Sequence, residues 1–148
     1  MKLLILNGPN INMLGIREPG IYGSESYSEL CRQAREKAKE LGVELEIYQT
    51  NHEGGLVDKI QEAYGKIDGI VFNPGAYTHT SIALRDALSA VSIPAVEIHI
   101  SAVETREAFR QISYIRDICI NTITGHGTDG YLEAIDCLVA VLEGKSES

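Results

Sequence analysis

Short apolar runs alternate with segments of helical period along almost the whole of this 148-residue chain. That alternation restricts the fold more than any other feature. The apolar runs are Lys2 to Leu6, Val43 to Tyr48, Ile67 to Phe72, Ala95 to Ile100 and Ile118 to Thr124. Lys2 to Leu6 is a short continuous apolar run, as expected of a strand covered on both faces, and Ile67 to Phe72 is another apolar strand. The second differs: Val43, Leu45 and Ile47 alternate with Glu44, Glu46 and Tyr48, so one face is wet and the strand belongs at a sheet edge. The intervening segments read as helices. Ser26-Tyr27-Ser28-Glu29 has capping-box spacing, Leu30, Ala34, Ala38 and Leu41 follow at helical intervals, and Gly42 stops the helix. Gly54 to Tyr64 points Leu56, Ile60 and Ala63 inward and ends at Gly65. Ser81 to Ala90 is a third helix. A last one follows Gly130, with Leu132, Ile135, Leu138, Val139 and Leu142 inward.

Strands alternating with helices imply an α/β fold with a five-stranded parallel sheet. The wet second strand selects the order 2-1-3-4-5, a flavodoxin-like three-layer sandwich. No repeat or linker interrupts the chain, so residues 1–148 are expected to form one domain, frayed from Gly144 onward. The net charge of −8 argues against nucleic acid as a partner. An anionic ligand would need a local arginine cluster acting against the overall field. Cys31, Cys119 and Cys137 are odd in number and widely spaced, which suggests buried free thiols in a reducing compartment. Leu3 to Leu6 is too short for a signal-peptide core and no transmembrane run is present. Cytoplasmic location is expected, with no membrane association.

In such a sheet ligands bind beyond the carboxyl ends of the strands, and the polar cargo is concentrated there. Asn7 to Gly23, after the first strand, carries Asn10, Arg17 and Tyr22. Asn73 and His79 follow the third strand, with Asp86 on the next helix. Glu97 and His99 lie in the fourth strand, ahead of Ser101, Arg106 and Arg110. Glu97 and His99 are two apart, so they share one face of the strand. Two ionisable groups there are anomalous for a core strand, unless the strand end simply emerges into water. A carboxylate beside an imidazole orients it and favours its protonated form, which suits a general acid. Ionising a tyrosine at pH 7 costs about 4 kcal/mol against its reference pKa of ~10. One guanidinium ~4 Å away at an effective dielectric of ~20 offsets about that much. Arg17 could therefore make Tyr22 a base, or could be a solvated partner of Glu18. Plainer roles also exist for the rest: a turn for Asn73, a helix cap or exposed loop position for His79, a pair with Arg85 for Asp86, and pairs with Glu104 and Glu107 for Arg106 and Arg110. Gly125 to Gly130 fits neither phosphate-loop spacing and reads as a structural loop before the last helix. The scattered histidines offer no metal motif.

Taken together, these segments resemble the type II 3-dehydroquinate dehydratase family over nearly the whole chain. Asn7-Gly8-Pro9-Asn10-Ile11-Asn12-Met13-Leu14-Gly15-Ile16-Arg17-Glu18-Pro19-Gly20-Ile21-Tyr22-Gly23 is similar to that family's opening fingerprint. Asn73 to Ser81, Ala83 to Ala87, Val96 to Ser101, Arg106 to Arg110 and Gly125 to Tyr131 resemble its later motifs, in order. The departures are small: Ile11 and Met13 stand where leucine is common, Ala102 where asparagine is usual, and Gln111 where histidine is frequent. The resemblance implies anti elimination of water from 3-dehydroquinate through an enolate, giving 3-dehydroshikimate, in the shikimate pathway. It implies Tyr22 as base with Arg17 lowering its pKa, His99 as acid held by Glu97, and Asn10 positioning a water against the enolate oxygen. Asn73, His79, Arg110 and the amides of Ile100 and Ser101 would hold substrate, and Asp86 would reach an adjacent subunit's site. A homododecamer built as four trimers is implied, with no metal and no organic cofactor. The competing expectation is a non-catalytic small-anion or nucleotide-binding module on the same scaffold. Against a phospho-receiver, the third strand ends in Asn73 rather than an acceptor aspartate, and no acidic pair follows the first strand.

Overall fold

Parallel strands need crossover connections, and here the first three carry helices that cover the faces of the sheet, while the fourth is built from short 3-10 turns. The computed structural model describes residues 1–16 and 26–144. Its strands are β1 (Lys2–Asn7), β2 (Glu44–Gln49), β3 (Gly69–Asn73), β4 (Ala95–His99) and β5 (Asn121–Thr124). They form one five-stranded parallel sheet in the order β2-β1-β3-β4-β5, the expected flavodoxin-like topology. The helices are α1 (Tyr27–Leu41), α2 (Glu53–Ala63), α3 (Ile82–Val91) and α4 (Asp129–Leu142).

The pleat sorts the core into two halves. Leu3, Ile5, Val71, Val96, Ile98 and Ile123 pack against Leu30 and Ala34 of α1 and Ala134, Ile135 and Leu138 of α4. Leu4, Leu6, Ile70, Phe72 and Ala95 pack against Leu56 and Ile60 of α2 and Leu84, Leu88 and Val91 of α3. β2 lies at the edge, with Glu44 and Tyr48 exposed.

Local signals hold with some differences. The Ser26 side chain accepts from the Glu29 amide at 3.1 Å, and Gly42 ends α1 at φ 70°. The reciprocal half of the capping box does not form, because the Glu29 carboxylate binds Arg32 instead. β5 starts at Asn121, not Ile118: Arg116–Ile118 is a 3-10 turn whose Ile118 and Cys119 pack on the α2/α3 core. In α4 the inward position belongs to Tyr131, fully buried, while Leu132 is half-buried. The three cysteines are free thiols, half-buried rather than buried.

Gly8 and Pro74 bring the first two polar loops together. The Gly8 amide donates to the Asn73 carbonyl at 2.7 Å. A Cβ at Gly8 would lie 2.4 Å from the Pro74 carbonyl oxygen. At Gly130 an added Cβ would meet side chains alone, Ile98 Cδ1 at 2.6 Å and Ile123 Cγ2 at 3.3 Å first among them. Gly8→Ala must therefore push two backbones apart, and it is expected to lower stability by roughly 1–3 kcal/mol. Gly130→Ala displaces a side-chain tip and gains about 1 kcal/mol of helix propensity, so it should cost clearly less. Urea unfolding of the two variants checks the ranking.

Candidate active site

The carboxyl ends of β1, β3 and β4 open into one cavity, about 680 Å³ including the solvent at its mouth. That size suits a small ring compound. Asn10, Asn73, His79, His99, Ile100, Ser101, Arg106 and Arg110 all line it, together with Arg-free apolar positions such as Ile11 and Leu14. Three separate loops thus converge as the topology predicts. Glu97 lies beneath the lining, fully buried. Asp86 is exposed on α3 and does not line the cavity. The expectations for Arg17 and Tyr22 fall outside the described residues.

The strand end is not simply emerging into water. Glu97 Oε2 lies 2.5 Å from His99 Nε2, and the two side chains are almost wholly buried. Arg116 donates to the same carboxylate from its other side: Nη2 to Oε2 at 3.0 Å and Nε to Oε1 at 3.2 Å. Thr122, paired with Glu97 across β4 and β5, adds its hydroxyl to Oε1 at 3.3 Å. Burial by itself pushes the Glu97 carboxyl up, but hydrogen bonds from His99 and Arg116 outweigh it and hold the group at about 2. Glu97 is therefore an ionised acceptor, which places a proton on His99 Nε2 and leaves Nδ1 for chemistry.

His79 stacks beside His99, ring centroids 6.4 Å apart and planes 18° from parallel. Its Nδ1 lies 2.7 Å from the Ile112 carbonyl oxygen, which can only accept, so Nδ1 carries the hydrogen. Burial pushes the His79 pKa down; the Ile112 carbonyl opposes this, while His99 and Arg110 reinforce it. A neutral ring of that tautomer presents Nε2 as an acceptor, suited to a ligand hydroxyl.

The first loop is shaped from β2. Asn10 sits at φ 71°, a left-handed geometry that asparagine tolerates. Its amide donates to Asn51 Oδ1 at 3.1 Å, and Gln49 Nε2 donates to the Gly8 carbonyl at 3.2 Å. Asn73 takes a turn role as well as a wall position: its Oδ1 accepts from the Gly75 amide at 3.1 Å. Its amide donates to the Tyr131 hydroxyl at 2.9 Å, which donates to Asn7 Oδ1 at 2.7 Å. Arg110 Nε contacts Glu107 at 3.0 Å and Arg106 Nη1 reaches Ser101 Oγ at 3.4 Å. These two guanidinium groups give the cavity rim positive charge in a chain of net charge −8. Gln111 ties this loop by donating to the carbonyls of Val103, Arg106 and Glu107. Ala102 packs where a Cβ on Gly125 would come within 3.2 Å of it. Arg85 pairs with Asp117, not Asp86. Among the described residues no three His, Cys, Asp or Glu side chains are grouped to hold a metal ion, and no helix is long and apolar enough to cross a membrane.

Sequence reasoning missed Arg116, Thr122, Tyr131, Gln49 and Asn51 as shapers of the site. None of them left a clear local signal: Thr122 lies in the largely polar run Asn-Thr-Ile-Thr, and the last helix carries Asp129, Glu133 and Asp136 besides Tyr131.

The family model described as dehydroquinase class II matches residues 1–139. A 3-dehydroquinate dehydratase of Lachnospira eligens is 54% identical over 141 residues, covering 94% of this chain and 96% of that protein. A catabolic 3-dehydroquinase of Verticillium alfalfae is 53% identical over 135 residues, covering 91% and 90%. The crystal structure of type II dehydroquinase from Butyrivibrio crossotus superposes with a TM-score of 0.92 at 55% identity, covering 94% and 97%.

The buried carboxylate has a consequence for stability. A carboxyl held at about 2 against an ordinary 4.5 stabilises the fold fully above pH 4.5, and that contribution disappears as pH falls towards 2. It amounts to ~3 kcal/mol. Glu97→Gln should be less stable than the parent by that order at pH 7, with the gap closing between pH 4.5 and pH 2. Denaturant titrations at pH 7 and pH 3 measure both gaps.

Proposed function

This chain belongs to the class II dehydroquinase family, and from that membership and the cavity's proton-handling pair we propose that it is a 3-dehydroquinate dehydratase. In this reading residues 1–148 form one catalytic domain that removes water from 3-dehydroquinate and yields 3-dehydroshikimate, a step of the shikimate pathway. The observation that carries it is His99 on the cavity wall, with one ring nitrogen bound to the sealed Glu97 carboxylate and the other left for substrate.

The proton at C2 is α to a ketone, so its removal places charge on the carbonyl oxygen as an enolate. Tyr22 takes that proton, with Arg17 favouring the phenolate, and Asn10 positions a water against the enolate oxygen. The C–O bond at C1 then breaks as the enolate collapses, and the departing hydroxide takes the Nδ1 proton of a His99 imidazolium, which keeps its Nε2 proton on Glu97. One proton leaves carbon, one arrives on oxygen, and water is the product. Anti elimination requires Tyr22 and His99 to act from opposite faces of the ring. Arg106 and Arg110 at the rim favour the substrate carboxylate, and His79 Nε2 and Asn73 favour its hydroxyls. No metal or organic cofactor enters any step.

Ile82, Phe109 and Ile112 are 57%, 64% and 57% exposed. Apolar surface of that kind, with Ile82 one turn from Asp86 on α3, supports subunit contacts, and we infer the twelve-subunit assembly in which Asp86 enters a neighbour's site. Sedimentation should then give twelve chains of 16.2 kDa each. A cytoplasmic location suits the free thiols.

Mixing the protein with 3-dehydroquinate should produce the ultraviolet absorbance of a conjugated enone, unaffected by chelator. A folded preparation without that signal would remove the assignment. Tyr22→Phe and His99→Gln should each lower kcat about 10²–10⁴-fold with the fold intact. Activity should decline at both low and high pH, as the base gains a proton and the acid loses one.

A further inference from the structure

Arg116 is not in the cavity lining, and its side chain is 46% exposed at the outer surface. It nonetheless shares an atom with the presumed acid's partner: Glu97 Oε2 accepts from His99 Nε2 and from Arg116 Nη2 together. The turn that carries Arg116 is tied to α3. The neighbouring Asp117 carboxylate is gripped by both terminal nitrogens of Arg85 on α3, at 2.5 and 3.0 Å, and Arg85 also donates to the Tyr114 carbonyl at 2.9 Å. Arg85 on α3 thus holds the residue next to Arg116, and Arg116 in turn reaches Glu97, which holds His99.

Resting on the dehydratase reading of this same site, we propose that Arg116 is a positioning residue which, by drawing on the Glu97 carboxylate, sets how firmly the Glu97–His99 pair holds its proton. A lone carboxylate gives its whole charge to the imidazolium beside it and binds that proton tightly. A cation on the carboxylate's other side weakens the hold, so the acid gives up its proton more readily to a departing hydroxide. The direction does not depend on which member of the pair carries the proton, since a nearby positive charge disfavours either protonated form.

The other groups around the pair leave Arg116 as the charge to vary. His79 faces His99 and is held neutral by burial. Thr122 offers a hydroxyl. The Cys119 thiol is pushed up to about 12, by burial first and by the Glu97 charge second, so it stays protonated through the working range. Arg106 and Arg110 lie on the cavity rim against Ser101 and Glu107, and Asp117 is occupied by Arg85.

Arg116→Gln keeps a hydrogen-bond donor and loses the charge, Arg116→Met loses both, and Arg116→Lys keeps the charge. Two readouts apply: the pH profile of kcat with 3-dehydroquinate, and the imidazole proton titration of His99 by NMR in ligand-free protein, its signal identified by absence from His99→Gln. In the Gln and Met variants the His99 titration and the alkaline limb should move up by about one pH unit. The kcat should fall several-fold with KM unchanged, and the Lys variant should stay near the parent. Superimposable titrations of the parent and the folded Gln variant would overturn the proposal. If the titration moves but no variant or parent dehydrates 3-dehydroquinate, the electrostatic role stands and the dehydratase reading fails.

Discussion

The strands that build the cavity end dry, and almost everything about the cavity follows from that constraint. Asn7, Asn73, Glu97 and His99 are the last polar positions of β1, β3 and β4, and each is buried. A buried polar side chain without partners costs ~1–3 kcal/mol, and a charged one more. Each strand end must therefore recruit donors and acceptors, and the recruited groups dictate the path of the loop that follows. Asn7 and Asn73 stand opposite one another across the β1–β3 pair. The Tyr131 hydroxyl fits between them, donating to one and accepting from the other. Asn73 then spends its carbonyl oxygen on Gly75, and Asn7 spends its amide on the Tyr27 hydroxyl at the start of α1. Four elements are fixed in register by one buried phenol.

Charge follows the same rule on the other face of the sheet. Glu97 could not be buried as an anion on a strand without cationic or strong hydrogen-bonding partners. It has three: His99 from its own strand, Thr122 from β5 and Arg116 from the turn before β5. That turn occupies residues which would otherwise extend β5. The strand is shortened so that the guanidinium can reach inward. The arrangement leaves the imidazole oriented without mobile parts, which is what a positioned acid requires.

The sequence made the strand order, the helices and the convergence of three polar loops legible, because periodicity and caps are local signals. Glu97 and His99 were legible because two ionisable groups at a period of two contradict an apolar strand. Arg116 was not. In Tyr-Ile-Arg-Asp-Ile it reads as a solvated charge beside a solvated charge, and its target lies nineteen residues away in sequence. Ile118 and Cys119 read as strand because they are apolar, yet tertiary packing claims them for the rim of the α2/α3 core. Leu132 and Tyr131 exchange their expected places for the same kind of reason. A leucine at the inward position would fill volume, but only the tyrosine can also satisfy Asn7 and Asn73.

The two polar systems are kept apart by the sheet itself. Tyr131, Asn7, Asn73 and Tyr27 lie on the α1/α4 side, with Leu3, Ile5 and Ile98 around them. Glu97, His99, Arg116 and Cys119 lie on the α2/α3 side. Burial pushes Tyr27 up to about 12 and pushes Tyr131 higher still, so neither phenol changes charge in the neutral range. The hydrogen bonds that hold the cavity's loops are therefore separate from the Glu97–His99 pair. Asn73 and the Gly8–Pro74 contact are anchored to neutral phenols and backbone groups, whereas His99 is anchored to an ionised carboxylate that an arginine also holds. This division lets one small domain place a neutral hydrogen-bonded wall and a charged pair around the same cavity.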